Sequence, residues 1–181
     1  MVETARRTSP LEGRAFRGHG IVIAPAAPAS RLSLRAAEEA LPALSKALGL
    51  SLPRRPKTSA AEGGRAALWL GPDEWLVIDE QGADLPALAA GVSALHSAVD
   101  ISHRNTAILV SGKRAEEVLA AGCPQDLCEA RFPVGAASRT VFGKAEIVLW
   151  RTGKTVFRVE CWRSFSDYVF SLLEKAARET M

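Results

Sequence analysis

The sequence predicts an α+β fold in which antiparallel sheets are covered by helices. Two observations lead to this class. In the last third of the chain, three short segments alternate apolar and polar residues with a period of two between glycine-containing turns, which is typical of antiparallel strands. Elsewhere, apolar residues recur at helical spacing between capping residues and glycines, which indicates helices that lie on the sheets.

The first 19 residues form a basic leader, residues 1–19, that we expect to become ordered only on a partner. Arginine outnumbers acidic residues in this stretch, and its apolar residues show no periodicity. Residues 20–181 are expected to form a single α+β unit of two intertwined lobes. A chain of 181 residues is long enough for one good core, or for two small lobes that share a junction.

The elements between residues 20 and 64 are predicted as a strand, a helix and a loop. Residues 20–24 are a short apolar segment closed by proline. Residues 35–48 place leucine and alanine near one face and are followed by Gly49, which suits a helix C-cap. Pro42 within this helix indicates a kink or a later start. Residues 51–64, which contain prolines and a glycine pair, are predicted as a loop.

A hairpin is predicted over residues 66–78. Its turn, residues 71–73, has the sequence Gly-Pro-Asp, and these residue types seldom occur inside a paired strand. Asp84 then suits the N-cap of a short helix that ends at Gly91. Residues 97–101 are predicted as a further strand, which enters the central segment of the chain.

The central segment, residues 99–127, is predicted as a strand, a capped turn and a short helix. The branched apolar residues 107–110 predict a buried strand. Ser111 is expected to cap the helix, and Gly122 is expected to end it with a positive φ. Pro124 prevents its continuation. This unit is therefore interpreted as a scaffold.

The C-terminal segment is predicted as an antiparallel meander followed by a helix. The strands are expected at residues 140–142, 146–150 and 156–162. Ser164 is expected to cap the final helix in a capping box. The apolar stripe of this helix is predicted to comprise Phe165, Tyr168, Val169, Leu172, Leu173 and Ala176.

Composition and charge are ordinary for a soluble globular protein. The hydrophobic content is 48%, the charged content 24%, and the formal net charge only +3, so the sequence has no strong electrostatic preference for nucleic acid. No apolar run reaches the roughly 18 residues of a membrane span. The N-terminus is charged and lacks the apolar core of a signal peptide, so we expect a cytoplasmic protein without a membrane partner.

Cysteine and histidine patterns predict no metal site. The three cysteines are odd in number and include no Cys-x-x-Cys pair, which favours reduced thiols over disulfides or zinc ligands. The three histidines have no helical i, i+4 spacing that would supply further ligands. These residues are Cys123, Cys128, Cys161, His19, His96 and His103.

The motif search identifies no catalytic residue. Asp100, Ser102 and His103 have the side chains of a hydrolase triad, but successive residues of an extended chain point to opposite sides, so His103 should point away from the other two. The simpler interpretation is that Asp100 and Ser102 form hydrogen bonds with nearby backbone in a turn, and that His103 and Arg104 lie at a solvent or subunit surface. The Gly-Lys pairs at Gly112 and Gly153 lack the first glycine of a phosphate-binding loop, and no dinucleotide fingerprint is present.

Four tryptophans stand out among the few aromatic residues. They are interpreted as core and sheet-face residues, although indoles that are half buried in a subunit often become interface anchors. They are Trp69, Trp75, Trp150 and Trp162.

An ordered set of motifs resembles the gamma subunit of heterotetrameric sarcosine oxidase. The resemblance covers roughly residues 20–178, and it depends on the order and spacing of the motifs rather than on any one of them. The motifs are LWLGPDEWLV at 68–77, VDISHR at 99–104, GCPQDL at 122–127, FPVG at 132–135 and RSFSDYV at 163–169. This family is similar to a shortened form of the glycine-cleavage aminomethyltransferase fold, which implies an aminomethyltransferase-like architecture of two closely joined lobes. One departure is Gln125, where the family pattern leads us to expect leucine.

The resemblance implies a non-catalytic subunit of an enzyme. In such a complex, sarcosine is oxidatively demethylated to glycine with production of hydrogen peroxide, and the one-carbon unit passes to tetrahydrofolate. FAD, FMN, NAD and the folate site are implied on the alpha and beta subunits, and zinc on the delta subunit. The partners of this chain would be the alpha, beta and delta subunits, chiefly alpha. No catalytic residue, cofactor-binding residue or metal ligand is expected in this chain.

Two other functions are considered. The first is a stand-alone folate-binding or aminomethyltransferase-like protein, although the chain is about half the length that such an enzyme would need. The second is a nucleic-acid-binding module that uses the basic leader, for which binding should weaken steeply with salt.

Arg163 is expected at the N-terminus of the final helix, where the helix dipole disfavours a cation. We therefore expect either an internal carboxylate or the acidic surface of a partner to compensate it. The internal candidates are Asp73, Glu74 and Asp100.

Overall fold

A computed structural model describes residues 9–179 of the chain. The strands are β1 (Phe16–Gly18), β2 (Ile21–Pro25), β3 (Ser30–Ala36), β4 (Ser59–Glu62), β5 (Arg65–Gly71), β6 (Glu74–Asp79), β7 (His96–Asp100), β8 (Asn105–Ser111), β9 (Ala137–Phe142), β10 (Ala145–Gly153) and β11 (Val156–Trp162). The α-helices are α1 (Leu41–Leu48), α2 (Leu85–Ala90), α3 (Ala115–Ala120) and α4 (Ser166–Glu179).

The strands form two antiparallel sheets, which confirms the predicted α+β class. The first sheet has six strands in the order β1-β2-β8-β11-β10-β9, and the second has five in the order β4-β5-β6-β3-β7. All pairs between neighbouring strands are antiparallel. The chain leaves the first sheet after β2, builds the whole second sheet, and returns to the first at β8. The second sheet is therefore inserted into the first.

The two sheets pack face to face in the middle of the molecule. Successive side chains of strand β6 point to opposite faces of its sheet, so they enter two different cores in alternation. Trp75 and Val77 point to the core beneath α1 and α2, whereas Leu76 and Ile78 point to the core shared with the first sheet. On the far side of the first sheet, α3 and α4 cover a third core. The order of layers is helices, sheet, sheet, helices.

Several local predictions are confirmed by these elements. The hairpin of β5 and β6 turns at Gly71, and the meander of β9, β10 and β11 occupies the predicted segments. The Asp84 carboxylate accepts a hydrogen bond from the backbone N–H of Ala87 and caps α2. Gly49 follows α1 with a φ of 69°, the left-handed conformation that glycine adopts without steric cost.

The predicted extent of the basic leader is wrong for the residues that the structure describes. Leu11 is fully buried in the core beneath α3 and α4, and β1 pairs with β2. The guanidinium of Arg14 pairs with Asp167 and lies 4.4 Å from the centroid of the Phe170 ring. Residues 9–19 therefore pack on this chain's own core. Residues 1–8 lie outside the described part, and their ordering on a partner stays a prediction.

Two strands of the second sheet were not predicted. The segment beginning at Arg35 was expected to be helical, but β3 extends to Ala36 and the helix α1 begins only at Leu41, so that Pro42 occupies its first turn. A proline is tolerated there because the N–H it lacks would have no partner within the helix. Strand β4 lies in the segment predicted as loop and pairs with β5.

The central unit differs from its prediction at both ends of the helix. Ser111 is the last residue of β8 and does not cap α3, which begins four residues later without a side-chain cap. Gly122 has no positive φ. A Cβ atom at this position would lie 2.7 Å from a ring carbon of Phe142, so glycine is required here by close packing.

The final helix begins later than predicted. Residues Arg163–Phe165 form a 3₁₀ turn, and α4 starts at Ser166, so Ser164 does not cap it. The buried face of α4 includes Val169, Phe170 and Leu173, whereas the predicted stripe residues Phe165 and Tyr168 are exposed. The stripe is displaced because the three residues of the 3₁₀ turn separate the end of β11 from the start of α4.

Candidate functional site

The turn between β7 and β8 contains the polar residues singled out in the sequence. The carboxylate of Asp100 accepts a hydrogen bond from the backbone N–H of Ser102 at 2.8 Å and another from the hydroxyl of the same serine. That hydroxyl also accepts a hydrogen bond from the backbone N–H of Arg31 at 2.8 Å. The predicted turn bonding between Asp100 and Ser102 is confirmed, and Ser102 additionally anchors the turn to β3.

This geometry does not support a hydrolase triad. The Ser102 hydroxyl is engaged with Asp100 and with the backbone of β3, and the His103 side chain is exposed. The hydrogen bonds from Ser102 lower the pKa of Asp100, so this carboxylate is ionised at neutral pH. An ionised carboxylate that holds the serine directly leaves the histidine no role as the base between them.

A cluster of buried charges lies between the two sheets. Glu160 on β11 is bracketed by two arginines: its carboxylate lies 2.6 Å from Nε of Arg31 on β3 and 2.8 Å from Nε of Arg158. All three side chains are at most 3% exposed. Nη1 of Arg158 also pairs with Glu80, which follows β6, at 2.7 Å.

The buried cluster links the sheets and is not arranged for acid–base chemistry. Its single buried carboxylate is shared by two permanent cations, and a general base must instead be free to take up a proton. Its position fixes how β3 and β11 face each other. No local pattern in the sequence indicates this cluster, because Arg31 and Glu160 lie 129 residues apart.

A second link between the sheets involves one of the carboxylates proposed for Arg163. Glu74 on β6 receives hydrogen bonds from Arg139 on β9 and, at 3.0 Å, from Arg35. Asp73 lies 3.6 Å from Arg35. Arg35 and Arg139 thus occupy the role expected of Arg163 at Asp73 and Glu74, and Asp100 is hydrogen-bonded to Ser102. Among the described residues, the predicted pairing of Arg163 with one of these three carboxylates is not seen.

Cysteine chemistry is limited by burial in the described residues. None of the three cysteines is paired in a disulfide. Burial, together with the negative charge of Glu160, raises the pKa of Cys161 to about 12, so its thiol stays protonated and unreactive.

Within residues 9–179, no group of three or more histidine, cysteine, aspartate or glutamate side chains is placed to hold a metal ion.

Gln125, the departure from the family pattern, uses its amide group in the fold. Its Nε2 donates a hydrogen bond to the Ser138 hydroxyl at 2.7 Å, whereas its buried Oε1 has no hydrogen-bond partner. The hydrogen bond to Ser138 thus compensates in part for the polar side chain in place of leucine.

The tryptophans occupy different environments. Trp75 is 1% exposed and donates from Nε1 to the Pro53 carbonyl oxygen, whereas Trp162 at the end of β11 is 41% exposed. The Trp162 ring contacts Phe165, with 6.0 Å between the two ring centroids. The Arg104 guanidinium lies 5.2 Å from the centroid of the Trp162 ring. Sequence reasoning treated Trp162 as a sheet-face residue and missed this exposed group.

No helix among residues 9–179 is both long and apolar enough to cross a membrane.

Comparison with known proteins identifies one family over most of the chain. The model of the sarcosine oxidase, gamma subunit family matches residues 34–179. The chain is 35% identical to the sarcosine oxidase subunit gamma of Corynebacterium sp. strain P-1 over 76% of this chain and 69% of that relative. It is 34% identical to the corresponding subunit of Arthrobacter sp., with the same coverage of both chains.

Solved structures support the same relationship. A chain of the heterotetrameric sarcosine oxidase from Corynebacterium sp. U-96, solved in complex with pyrrole 2-carboxylate, superposes with a TM-score of 0.88 and 30% identity over 96% of this chain and 95% of that one. The glycine cleavage system aminomethyltransferase T from Bartonella henselae superposes with a TM-score of 0.62 and 14% identity, over 86% of this chain and 46% of that one. The second match shows an aminomethyltransferase-like fold.

Proposed function

Since the chain belongs to the sarcosine oxidase gamma subunit family, we propose that it is the gamma subunit of a heterotetrameric sarcosine oxidase and acts in assembly rather than in catalysis. The observation that carries this proposal is the superposition on a chain of a heterotetrameric sarcosine oxidase over nearly the full length of both chains. A chain that matches end to end is expected to occupy the same place in an assembly.

The polar groups of the chain support a structural role. Asp100 and Ser102 bind each other and the backbone of β3, and Glu160 is shared by Arg31 and Arg158. Each of these groups holds the fold in one arrangement. None is left to act on a substrate, which agrees with a subunit whose partners carry the chemistry.

The family resemblance supplies the rest of the proposal. The complex would demethylate sarcosine oxidatively to glycine, release hydrogen peroxide and pass the one-carbon unit to tetrahydrofolate. FAD, FMN, NAD and folate would bind to the alpha and beta subunits, and zinc to the delta subunit. This chain would contact chiefly the alpha subunit. The cytoplasmic location expected from the sequence stays a prediction.

The proposal is tested by isolating the chain both alone and in its native assembly. The purified chain should show no flavin absorbance and no sarcosine oxidation. A tagged copy expressed in the native source should recover three further subunits together with flavin absorbance and sarcosine-dependent peroxide production. Flavin or turnover in the isolated chain would contradict the proposal, and specific tetrahydrofolate binding by the chain alone would favour the stand-alone folate protein.

A further inference from the structure

An exposed cluster of aromatic residues lies where β11 passes into α4. Trp162, Phe165 and Tyr168 are 41%, 43% and 42% exposed, and they are the exposed aromatic side chains of the described residues. They follow one another at intervals of three residues through the 3₁₀ turn and the first turn of α4, a spacing that places neighbours on one side. Together with Arg104, they are called here the aromatic–arginine patch.

The aromatic–arginine patch is held in place by its own backbone. The backbone N–H of Arg163 donates a hydrogen bond to the Arg104 carbonyl oxygen at 2.8 Å, so the 3₁₀ turn is tied to the start of β8. The hydroxyl of Ser166 donates to the Arg163 carbonyl oxygen at 2.7 Å. The phenol oxygen of Tyr168 accepts from the Lys144 backbone N–H at 3.2 Å. A surface fixed in this way loses little conformational entropy when a partner covers it.

The residue types of the patch are those that dominate protein interfaces. Tryptophan, tyrosine and arginine are enriched among the residues whose truncation costs the most binding energy. Arg104 stacks on the Trp162 ring, and Phe165 contacts the same indole. The Trp162 ring therefore lies between the Arg104 cation and the apolar ring of Phe165.

The charges around the patch favour an acidic partner. An open groove of about 490 Å³ lies beside Trp162, and the residues between 9 and 179 that line it include no carboxylate: Pro10, His103, Arg104, Trp162, Arg163 and Ser164. A second groove of about 380 Å³ continues from the first. In the described part of the chain, the Arg104 guanidinium contacts the Asn105 amide oxygen and the Trp162 ring but no carboxylate.

Two carboxylates near the patch are engaged by other residues of the chain. Asp167 pairs with Arg14, and Asp100, which lines the second groove, accepts hydrogen bonds from Ser102. A third, Glu146, lines a small cavity together with Arg104, Trp162 and Arg139, and its charge acts on Arg139. Arg104 therefore keeps a donor face that a carboxylate from outside the chain can fill.

We propose that the aromatic–arginine patch is the surface on which a larger subunit of the sarcosine oxidase complex docks, through a segment that seats an apolar side chain on Trp162 and Phe165 and a carboxylate on Arg104. This inference rests on the proposed function, because it names the surface through which that assembly forms. The exposed side chains of Leu95 and Val99, just before and within β7, are aliphatic and lack the aromatic rings of the patch.

The test is a competition between variants during assembly. A tagged variant and the untagged wild-type chain are expressed together with the other subunits, and their ratio in the purified heterotetramer is divided by their ratio in the free pool. Trp162→Ala and Arg104→Glu should lower this quotient roughly 10-fold or more. Arg55→Glu, an equal charge reversal at an exposed arginine of the other lobe, and Leu95→Ala should leave it within about twofold.

The outcomes separate this inference from the proposed function. If the wild-type chain is absent from the heterotetramer, the proposed function is wrong. If the wild-type chain assembles and both patch variants assemble equally well, the proposed function stands and the patch is not the docking surface. Dividing by the free pool removes differences in expression or degradation between the chains. An unchanged urea midpoint of the free variant shows that it is folded.

The acidic character of the partner has its own measurement. Added salt should weaken incorporation of the wild-type chain more than incorporation of Arg104→Gln, because only the wild-type chain makes the ion pair. An equal salt dependence of the two chains would contradict a carboxylate on Arg104.

Discussion

The guanidinium of Arg31 and the carboxylate of Glu160 form an ion pair between the two sheets, with 2.6 Å between Nε and Oε2. Arg31 lies on β3 of the five-stranded sheet and Glu160 on β11 of the six-stranded sheet. Both side chains are at most 3% exposed. Because charges are costly to bury, this pair favours the one packing of the sheets in which the two residues meet.

Removal of the Glu160 charge should strongly destabilise the protein. Glu160→Gln leaves Arg31 and Arg158 buried without their shared carboxylate, so we expect the free energy of unfolding to fall by about 3–5 kcal/mol in urea titrations. Glu117→Gln is the control, since Glu117 is 54% exposed and pairs with Arg114 at the surface. The control should lose at most about 1 kcal/mol, and equal losses in the two variants would show that burial does not matter here.

The close packing of Gly122 predicts an asymmetry between two glycine substitutions. Gly122→Ala forces the Phe142 ring to move, because the new Cβ would lie 2.7 Å from it, and should cost about 1–3 kcal/mol of unfolding free energy. Gly91→Ala places a Cβ in open space at a φ of −75° and should be neutral or stabilising by up to about 1 kcal/mol. A neutral Gly122→Ala would mean that the ring has room to move away.

The N-terminal segment should contribute to stability through Leu11. Leu11→Ala opens a cavity in the core beneath α3 and α4 and should lower the free energy of unfolding by about 2–5 kcal/mol. Leu95→Ala, at a side chain that is 91% exposed, should change it by no more than about 0.5 kcal/mol. If the Leu11 variant is as stable as the Leu95 variant, residues 9–19 do not stabilise the core of this chain.

Acid should weaken the link between Glu74 and Arg139. The hydrogen bond from Arg139 holds the pKa of Glu74 below its ordinary value of 4.5. A lowered pKa in the folded state contributes stability that is fully present above the unfolded pKa and is lost as the pH falls through the folded pKa. The stability difference between wild type and Glu74→Gln should therefore be constant above about pH 6 and shrink below pH 4.5. A difference that does not change down to the lowest pH at which the protein folds would contradict this assignment.

We propose that residues 20–181 unfold as a single unit of two intertwined lobes. The sheets share an apolar core, and polar contacts that cross between them include Arg31 with Glu160, Glu74 with Arg139, and the Trp150 indole N–H with the Ser59 hydroxyl at 3.0 Å. Calorimetry should give one transition, with equal calorimetric and van't Hoff enthalpies. Two resolved transitions would instead indicate independent lobes.

The sequence by itself determined the elements whose signals are local. The Gly-Pro-Asp turn interrupts two apolar segments and specifies the hairpin of β5 and β6, and the period of two specifies the meander. Asp84 and Gly49 directly flank the helices that they cap, so their capping roles were evident from the chain alone. The family was recognised in the same way, from short motifs in a fixed order.

Only the tertiary structure decided which residues the elements bring together. Strand β3 exists because Leu32 and Leu34 pack in the core beneath α1 and α2, and because Arg31 meets Glu160 from a strand 129 residues later. Burial of Leu11 and exposure of Trp162 likewise depend on where α4 lies. Such contacts arise between segments distant in the chain, and no local pattern records them.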